Sequence, residues 1–254
     1  MKRALLLVVV AAVLLVAAVA ALAPASLVAP YLERATGGRL AVGEVEGTLW
    51  RGQGVLGAGA ARQRFAWKLD ATPLLTGEAH VQVTPVDGSS PSPRAGITAA
   101  NRRLALADVA IVLPAAVVQQ ALTRNAPVRA GWSADGEISA ATPRLEWTPA
   151  AYRGDLRVVW RNARLTPASA AAIDLGEATA ALTAQGERLA GPVTNVGGDL
   201  DVRGDVAIGT NGSTAISLLL TPRRADDVEL ARRLAAIGTP DGAGWRVSWQ
   251  TRPQ

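Results

Sequence analysis

Apolar and polar residues follow two different rhythms along the 254-residue chain. Residues 4–23 consist only of Ala, Leu and Val, with no polar interruption. At ~1.5 Å rise per residue, twenty such residues in a helix reach about 30 Å, the thickness of a bilayer's hydrocarbon core. Lys2 and Arg3 stand just before this run, and cationic flanks stay on the cytoplasmic side. The pattern therefore predicts a cytoplasmic tail over residues 1–3, a single transmembrane helix over 4–23, and an exported domain over 29–254. A cleaved signal peptide is the rival reading, because Ala21-Leu22-Ala23 and Ala23-Pro24-Ala25 are small-residue sites. The length of the apolar run and the position of Pro24 favour a retained anchor.

Beyond the anchor, residues 26–35 suit a short helix carrying Leu27, Tyr31 and Leu32 near the membrane surface, ended by Gly37-Gly38. From there the rhythm becomes period two, as a strand with one buried face requires. Phe65, Trp67 and Leu69 oppose Arg64 and Lys68, and Ala79, Val81 and Val83 alternate with His80, Gln82 and Thr84. Leu156, Val158 and Trp160 alternate with Arg157, Val159 and Arg161; Leu200, Val202, Val206 and Ile208 oppose Asp199, Asp201, Arg203 and Asp205. Asp87-Gly88, Asp135-Gly136, Asn211-Gly212 and Asp241-Gly242 read as turns between strands, Asn211-Gly212 being the best hairpin signal.

Two stretches depart from the strand rhythm and predict short helices: 114–122, with Pro114 at a helix start, and 226–236, with Asp226 and Asp227 near an N-terminus. Each is followed by a polar turn and Ala-Gly-Trp, at Ala130-Gly131-Trp132 and Ala243-Gly244-Trp245. This echo suggests a duplicated β-rich unit, with halves 37–139 and 140–254. The fold class is thus mainly β: an extended, mostly antiparallel sheet system with two short helices and two similar halves, preceded by one transmembrane helix.

Composition removes more chemistry than it offers. The chain has no cysteine, which excludes disulfides, thiolate metal sites and Cys nucleophiles. Net charge is +5, but the basic residues are scattered as pairs such as Arg102-Arg103 and Arg232-Arg233 with acids between them, which suits solvated faces better than nucleic acid. Gly52-Gln53-Gly54-Val55-Leu56-Gly57 has the spacing of a dinucleotide loop, yet no helix follows to present a pyrophosphate, so close backbone approach is the better account. Asp199, Asp201 and Asp205 miss a calcium loop, since Arg203 occupies a ligand position and Thr210 replaces the bidentate acid. His80 stands without the partners of a triad. Trp67, Trp132, Trp147, Trp160 and Trp249 fall in alternating segments, where large rings fill a sheet core. No catalytic, cofactor-binding or metal residues are expected, and no small-molecule substrate.

Gly43-Glu44-Val45-Glu46-Gly47-Thr48-Leu49-Trp50-Arg51-Gly52 resembles the Gly-Thr-Leu-Trp-x-Gly signature of the type II secretion system N protein family. Its signature residues here are Gly47, Thr48, Leu49, Trp50 and Gly52. Leu113-Pro114-Ala115 in mid-chain and the closing run of residues 230–237, Gly238 and 245–251 are also similar to that family. The departures are an Ala-heavy interior and a Pro-, Ser- and Gly-rich loop at 87–93. The resemblance implies a non-enzymatic accessory subunit in the bacterial inner membrane, with its bulk in the periplasm. Its implied partners are other secretion-system subunits, contacted through an exposed strand edge or the loop at 87–93. A different reading is a periplasmic lipid-handling protein resembling the AsmA-like group, whose mark is a continuous open apolar trough. An envelope hydrolase ranks below both for want of a catalytic set.

Overall fold

The computed structural model describes residues 24–27, 41–58, 61–86, 95–116, 118–119, 132–167, 171–224, 226–235 and 237–251. The expected anchor at 4–23, most of the helix at 26–35, and the loop at 87–93 with its Asp87-Gly88 turn lie outside these residues. No helix among the described residues is long and apolar enough to cross a membrane. The chain divides into two compact units, Met1–Arg94 and Ala95–Gln254, so both Ala-Gly-Trp segments belong to the second.

The first unit is an antiparallel meander of β1 (Ala41–Gly47), β2 (Arg51–Ala58), β3 (Ala61–Asp70) and β4 (Glu78–Pro85), paired in that order. The period-two pattern sets the register: Trp67 stands opposite Gly52 and Phe65 opposite Gly54. The two rings lie side by side, with centroids 5.6 Å apart, and a Cβ added at Gly54 would touch both of them. Close approach of aromatic rings thus explains Gly52 and Gly54 of β2, which runs as a strand and opens no helix. A 3-10 turn, Thr72–Thr76, joins β3 to β4 and is closed by Gly77 at φ 80°.

The second unit is by itself an antiparallel meander of β5 (Ala95–Ala100), β6 (Arg103–Pro114), β7 (Trp132–Trp147), β8 (Tyr152–Pro167), β9 (Ile173–Gln185), β10 (Arg188–Val196), β11 (Leu200–Gly209) and β12 (Thr214–Pro222). After β12 the chain forms helix α1 (Val228–Ala235) and the hairpin β13 (Thr239–Asp241) to β14 (Gly244–Thr251), with β14 lying against β12. Asp227 caps α1, its carboxylate accepting the Leu230 N–H at 2.9 Å. Residues 115–116 and 118–119 are also helical, where the first short helix is expected. Asn211-Gly212 and Asp241-Gly242 form hairpin turns, with positive φ at both glycines.

Asp135-Gly136 corrects the sequence reading: it lies inside β7, where the register against β8 shifts between Asp135 and Glu137. Gly136 sits at φ 102°, and a Cβ there would come within 2.4 Å of the Arg161 carbonyl. The dipeptide serves a bulge, because positive φ and a missing Cβ meet the needs of both structures.

The registers divide the second unit into two unlike faces. One carries Leu106, Val109, Leu145, Leu156, Leu182, Leu189, Val202, Val206, Leu218 and Val247, with Asn195 among them, and is predominantly apolar. The other carries Arg153, Asp155, Arg157, Glu177, Arg188, Asp201, Arg203 and Arg246. Helix α1 buries Leu230 and Leu234 on the apolar face against Ala163, Ile173, Leu175, Leu200 and Val202. Eight helical residues span only ~12 Å, and they pack on β8, β9 and β11 at one end of those strands. The helix therefore covers a minor part of that face.

Coiling of the sheet shelters a second cluster of Leu145, Leu182 and Leu189. The Tyr152 hydroxyl on β8 donates to the Gly209 carbonyl on β11 at 3.3 Å, and Trp147 Nε1 on β7 donates to Thr210 O at 3.2 Å. In a flat sheet β8 and β11 would lie ~14 Å apart, so these bonds require strong curvature. Of the tryptophans expected to fill a core, Trp160 packs against the cluster under α1, and Trp67, Trp147 and Trp249 are partly buried. The backbone of Trp132 lies in β7.

Candidate functional site

The signature residues form the turn between β1 and β2. Gly47, at φ 96°, pairs with Gly52, and between them Thr48 N–H donates to the Arg51 carbonyl at 2.8 Å. The Thr48 hydroxyl accepts the Arg51 N–H at 3.2 Å, so the threonine side chain closes the loop it starts. Trp67 Nε1 donates to Leu49 O at 3.2 Å, and Leu69 N–H donates to Trp50 O at 2.8 Å, docking the turn on β3. A Cβ at Gly52 would lie 2.3 Å from the Trp67 ring, which fixes glycine there. Pro24, the residue after the apolar run, forms an antiparallel bridge with Thr48.

The β7–β8 connection repeats this geometry without repeating the sequence. Thr148 N–H donates to Ala151 O at 2.9 Å, and Ala151 N–H donates to the Thr148 hydroxyl at 3.0 Å. Sequence reading missed this turn, and its signal was a Thr preceding Pro149 between two strands. The shared feature is threonine closure, which marks the signature as a structural device.

The remaining polar sites are satisfied among themselves. Asp199 Oδ2 accepts the Asp174 N–H at 3.0 Å, while Asp201 pairs with Arg203 at 2.9 Å and Arg223 at 3.6 Å. These carboxylates are spent on backbone and arginines, as expected for a polar face. His80 Nε2 lies 3.2 Å from Glu78 on the same strand. A shallow cleft of about 100 Å³ in the first unit is lined by Glu44, Glu46, Gln53, Arg64 and Phe65. Its polar groups pair internally, Gln53 with Glu46 at 2.8 Å and Arg64 with Glu44 at 3.6 Å. Ligand pockets are typically ~300 Å³ or more, so this cleft suits water rather than a substrate.

Glu146 carries the clearest electrostatic perturbation. It is only 7% exposed and receives Arg144 Nε at 2.9 Å and Arg103 Nη2 at 3.0 Å. The Arg144 hydrogen bond holds its pKa below the ordinary value against the opposing effect of burial, and Arg103 adds to the lowering. The cluster ties β6 to β7 on the polar face.

Together the fold and these sites define an antiparallel β-meander protein with one charged and one apolar face, built around threonine-closed turns. The model of the type II secretion system protein N family matches residues 38–248. The chain belongs to that family and is a component of the type II secretion system, which implies other subunits of the system as partners. No curated protein and no solved structure matches it.

Proposed function

We propose that the chain is a non-enzymatic accessory subunit, held in the inner membrane by residues 4–23, that supports secretion of folded proteins through protein contacts made in the periplasm. The observation that carries this reading, beside family membership, is the open strand edge of the second unit. β13 covers β14 only over Gly244–Arg246, and among the described residues no strand flanks Val247, Trp249 or Thr251 on that side. Such an edge presents unpaired backbone groups to an incoming strand. Affinity capture of the anchored protein from crosslinked membranes is the test: recovery of secretion-system subunits supports the reading, and their absence rejects it.

A second reading draws on the apolar face of the second unit, where Leu104 and Ile111 remain 37% and 49% exposed. If this face forms a continuous open trough, it would suit acyl chains, as in the AsmA-like group. Mass spectrometry of the purified full chain decides it: stoichiometric phospholipid supports lipid handling, and lipid-free protein rejects it.

A further inference from the structure

The signature turn lies where the chain meets Pro24. Pro24 follows the apolar run by a single residue and bridges Thr48, so if residues 4–23 stay in the bilayer, the turn stands at the membrane surface. The same end of the first unit holds the 3-10 turn Thr72–Thr76, because Arg51 pairs with Lys68 just before β3 ends. Leu74 on that turn is 39% exposed, although a leucine gains nothing from facing water. Gly77 N–H donates to Leu74 O at 3.1 Å, which holds the turn in place. At the same end stand the half-buried Leu49 and Trp50, and Arg51, which is exposed and makes no ion pair with any described residue. Tryptophan and leucine at one end of a unit with an exposed arginine are the composition of an interface with anionic headgroups.

We propose that the tip formed by Leu49, Trp50, Arg51 and Leu74 is seated in the headgroup layer of the inner membrane and fixes how the first unit stands on the bilayer. The proposal rests on the anchored reading above and adds a contact that an anchor alone does not require. A tethered domain free to tumble would leave this tip in water.

The cysteine-free chain permits a direct test with spin labels on single cysteines. Full-length protein is reconstituted in vesicles of phosphatidylethanolamine and phosphatidylglycerol, with Leu49→Cys, Leu74→Cys, Val86→Cys and Val13→Cys labelled in turn. Accessibility to oxygen is compared with accessibility to a water-soluble nickel chelate. Val86 is 46% exposed and lies at the opposite end of the first unit, where Val86 N–H donates to Arg64 O. The expected oxygen-to-nickel ratio is several-fold higher at positions 49 and 74 than at 86. A ratio at 49 and 74 equal to that at 86, with a lipid-like ratio at 13, overturns the tip contact and leaves the anchor standing. A water-like ratio at 13 overturns both. The exposed Leu74 site keeps the test decisive even where Leu49→Cys disturbs the turn.

Discussion

The side-chain amide of Asn195 on β10 donates to the backbone carbonyl of Leu175 on β9 at 2.7 Å. The same Nδ2 lies 2.9 Å from Leu200 O on β11, and Asn195 Oδ1 accepts the Val202 N–H at 2.8 Å. β10 ends one residue later, at Val196, before Gly197-Gly198, so the ladder between β9 and β11 would lose its middle strand here. One asparagine supplies both the donor and the acceptor that the missing strand would have offered. Its partners Leu175, Leu200 and Val202 belong to the cluster covered by α1, and Asn195 itself is only 9% exposed, so water has little access to those bonds.

Asn195 is therefore expected to resist even isosteric change. Asn195→Asp keeps an acceptor for Val202 N–H but aims a carboxylate at the carbonyls of Leu175 and Leu200, which no longer receive a proton. Asn195→Ala removes all these bonds and leaves buried backbone groups unsatisfied, at about 1–3 kcal/mol each before relaxation. Urea unfolding of the purified chain should show both variants destabilised, with Asn195→Asp lower at pH 7. A midpoint for Asn195→Asp equal to that of the parent protein rules the bridging role out.

The helix on the apolar face supplies a second expectation. Leu234 is 0% exposed and packs in the cluster with Leu200 and Leu230, whereas Val228 on the same helix is 69% exposed. Leu234→Ala should cost about 2–5 kcal/mol by lost burial and cavity formation. Val228→Ala should change stability by less than about 0.5 kcal/mol. Thermal unfolding followed by circular dichroism separates the two, and equal shifts would mean that α1 does not dock as described.

Much of this architecture is legible in the sequence because period-two alternation is a local signal. Leu200 to Ile208 alternate against Asp201, Arg203 and Asp205, and the structure places them on opposite faces of β11. The turns at Asn211-Gly212 and Asp241-Gly242 are equally local. Gly136 shows where locality fails, since an Asp-Gly pair fits a hairpin and a bulge alike, and only the Arg161 carbonyl across the ladder decides. Asn195 was silent for the same reason: its partners lie on neighbouring strands. That Trp160 packs under α1 depends on where the helix docks, which alternation cannot report. The signature Gly47 to Gly52 was recognisable as a motif, while its service as a turn docked on Trp67 required β3 to be in place.

Acid should weaken the β6–β7 contact in a way that one substitution removes. The Glu146 carboxyl has a folded pKa below its ordinary value of 4.5, chiefly through Arg144. A carboxylate so lowered contributes stability that is present above the unfolded value and is lost as pH falls through the folded one. Unfolding free energy measured from pH 6 downward should therefore fall more steeply below about pH 4.5 in the parent protein than in Glu146→Gln. Parallel acid limbs would show that the arginines do not favour the charged form.

The turn between β1 and β2 offers the sharpest contrast, because two glycines in the signature region have opposite surroundings. A Cβ at Gly43 would meet nothing within 4 Å, whereas one at Gly52 would lie 2.3 Å from the Trp67 ring and 2.6 Å from Glu46 O. The ring cannot move freely, since Trp67 Nε1 is held by Leu49 O and its face by Phe65. Gly52→Ala must therefore push either the indole or the β1 backbone, at about 1–3 kcal/mol for such overpacking. Gly43→Ala should be neutral, or stabilising by at most about 1 kcal/mol through the unfolded state. Near-ultraviolet circular dichroism should change for Gly52→Ala as the Trp67 environment shifts and stay unchanged for Gly43→Ala. A silent Gly52→Ala spectrum with parental stability would mean that the signature glycine is not there to admit the ring, and that its place in the motif answers to something outside the turn.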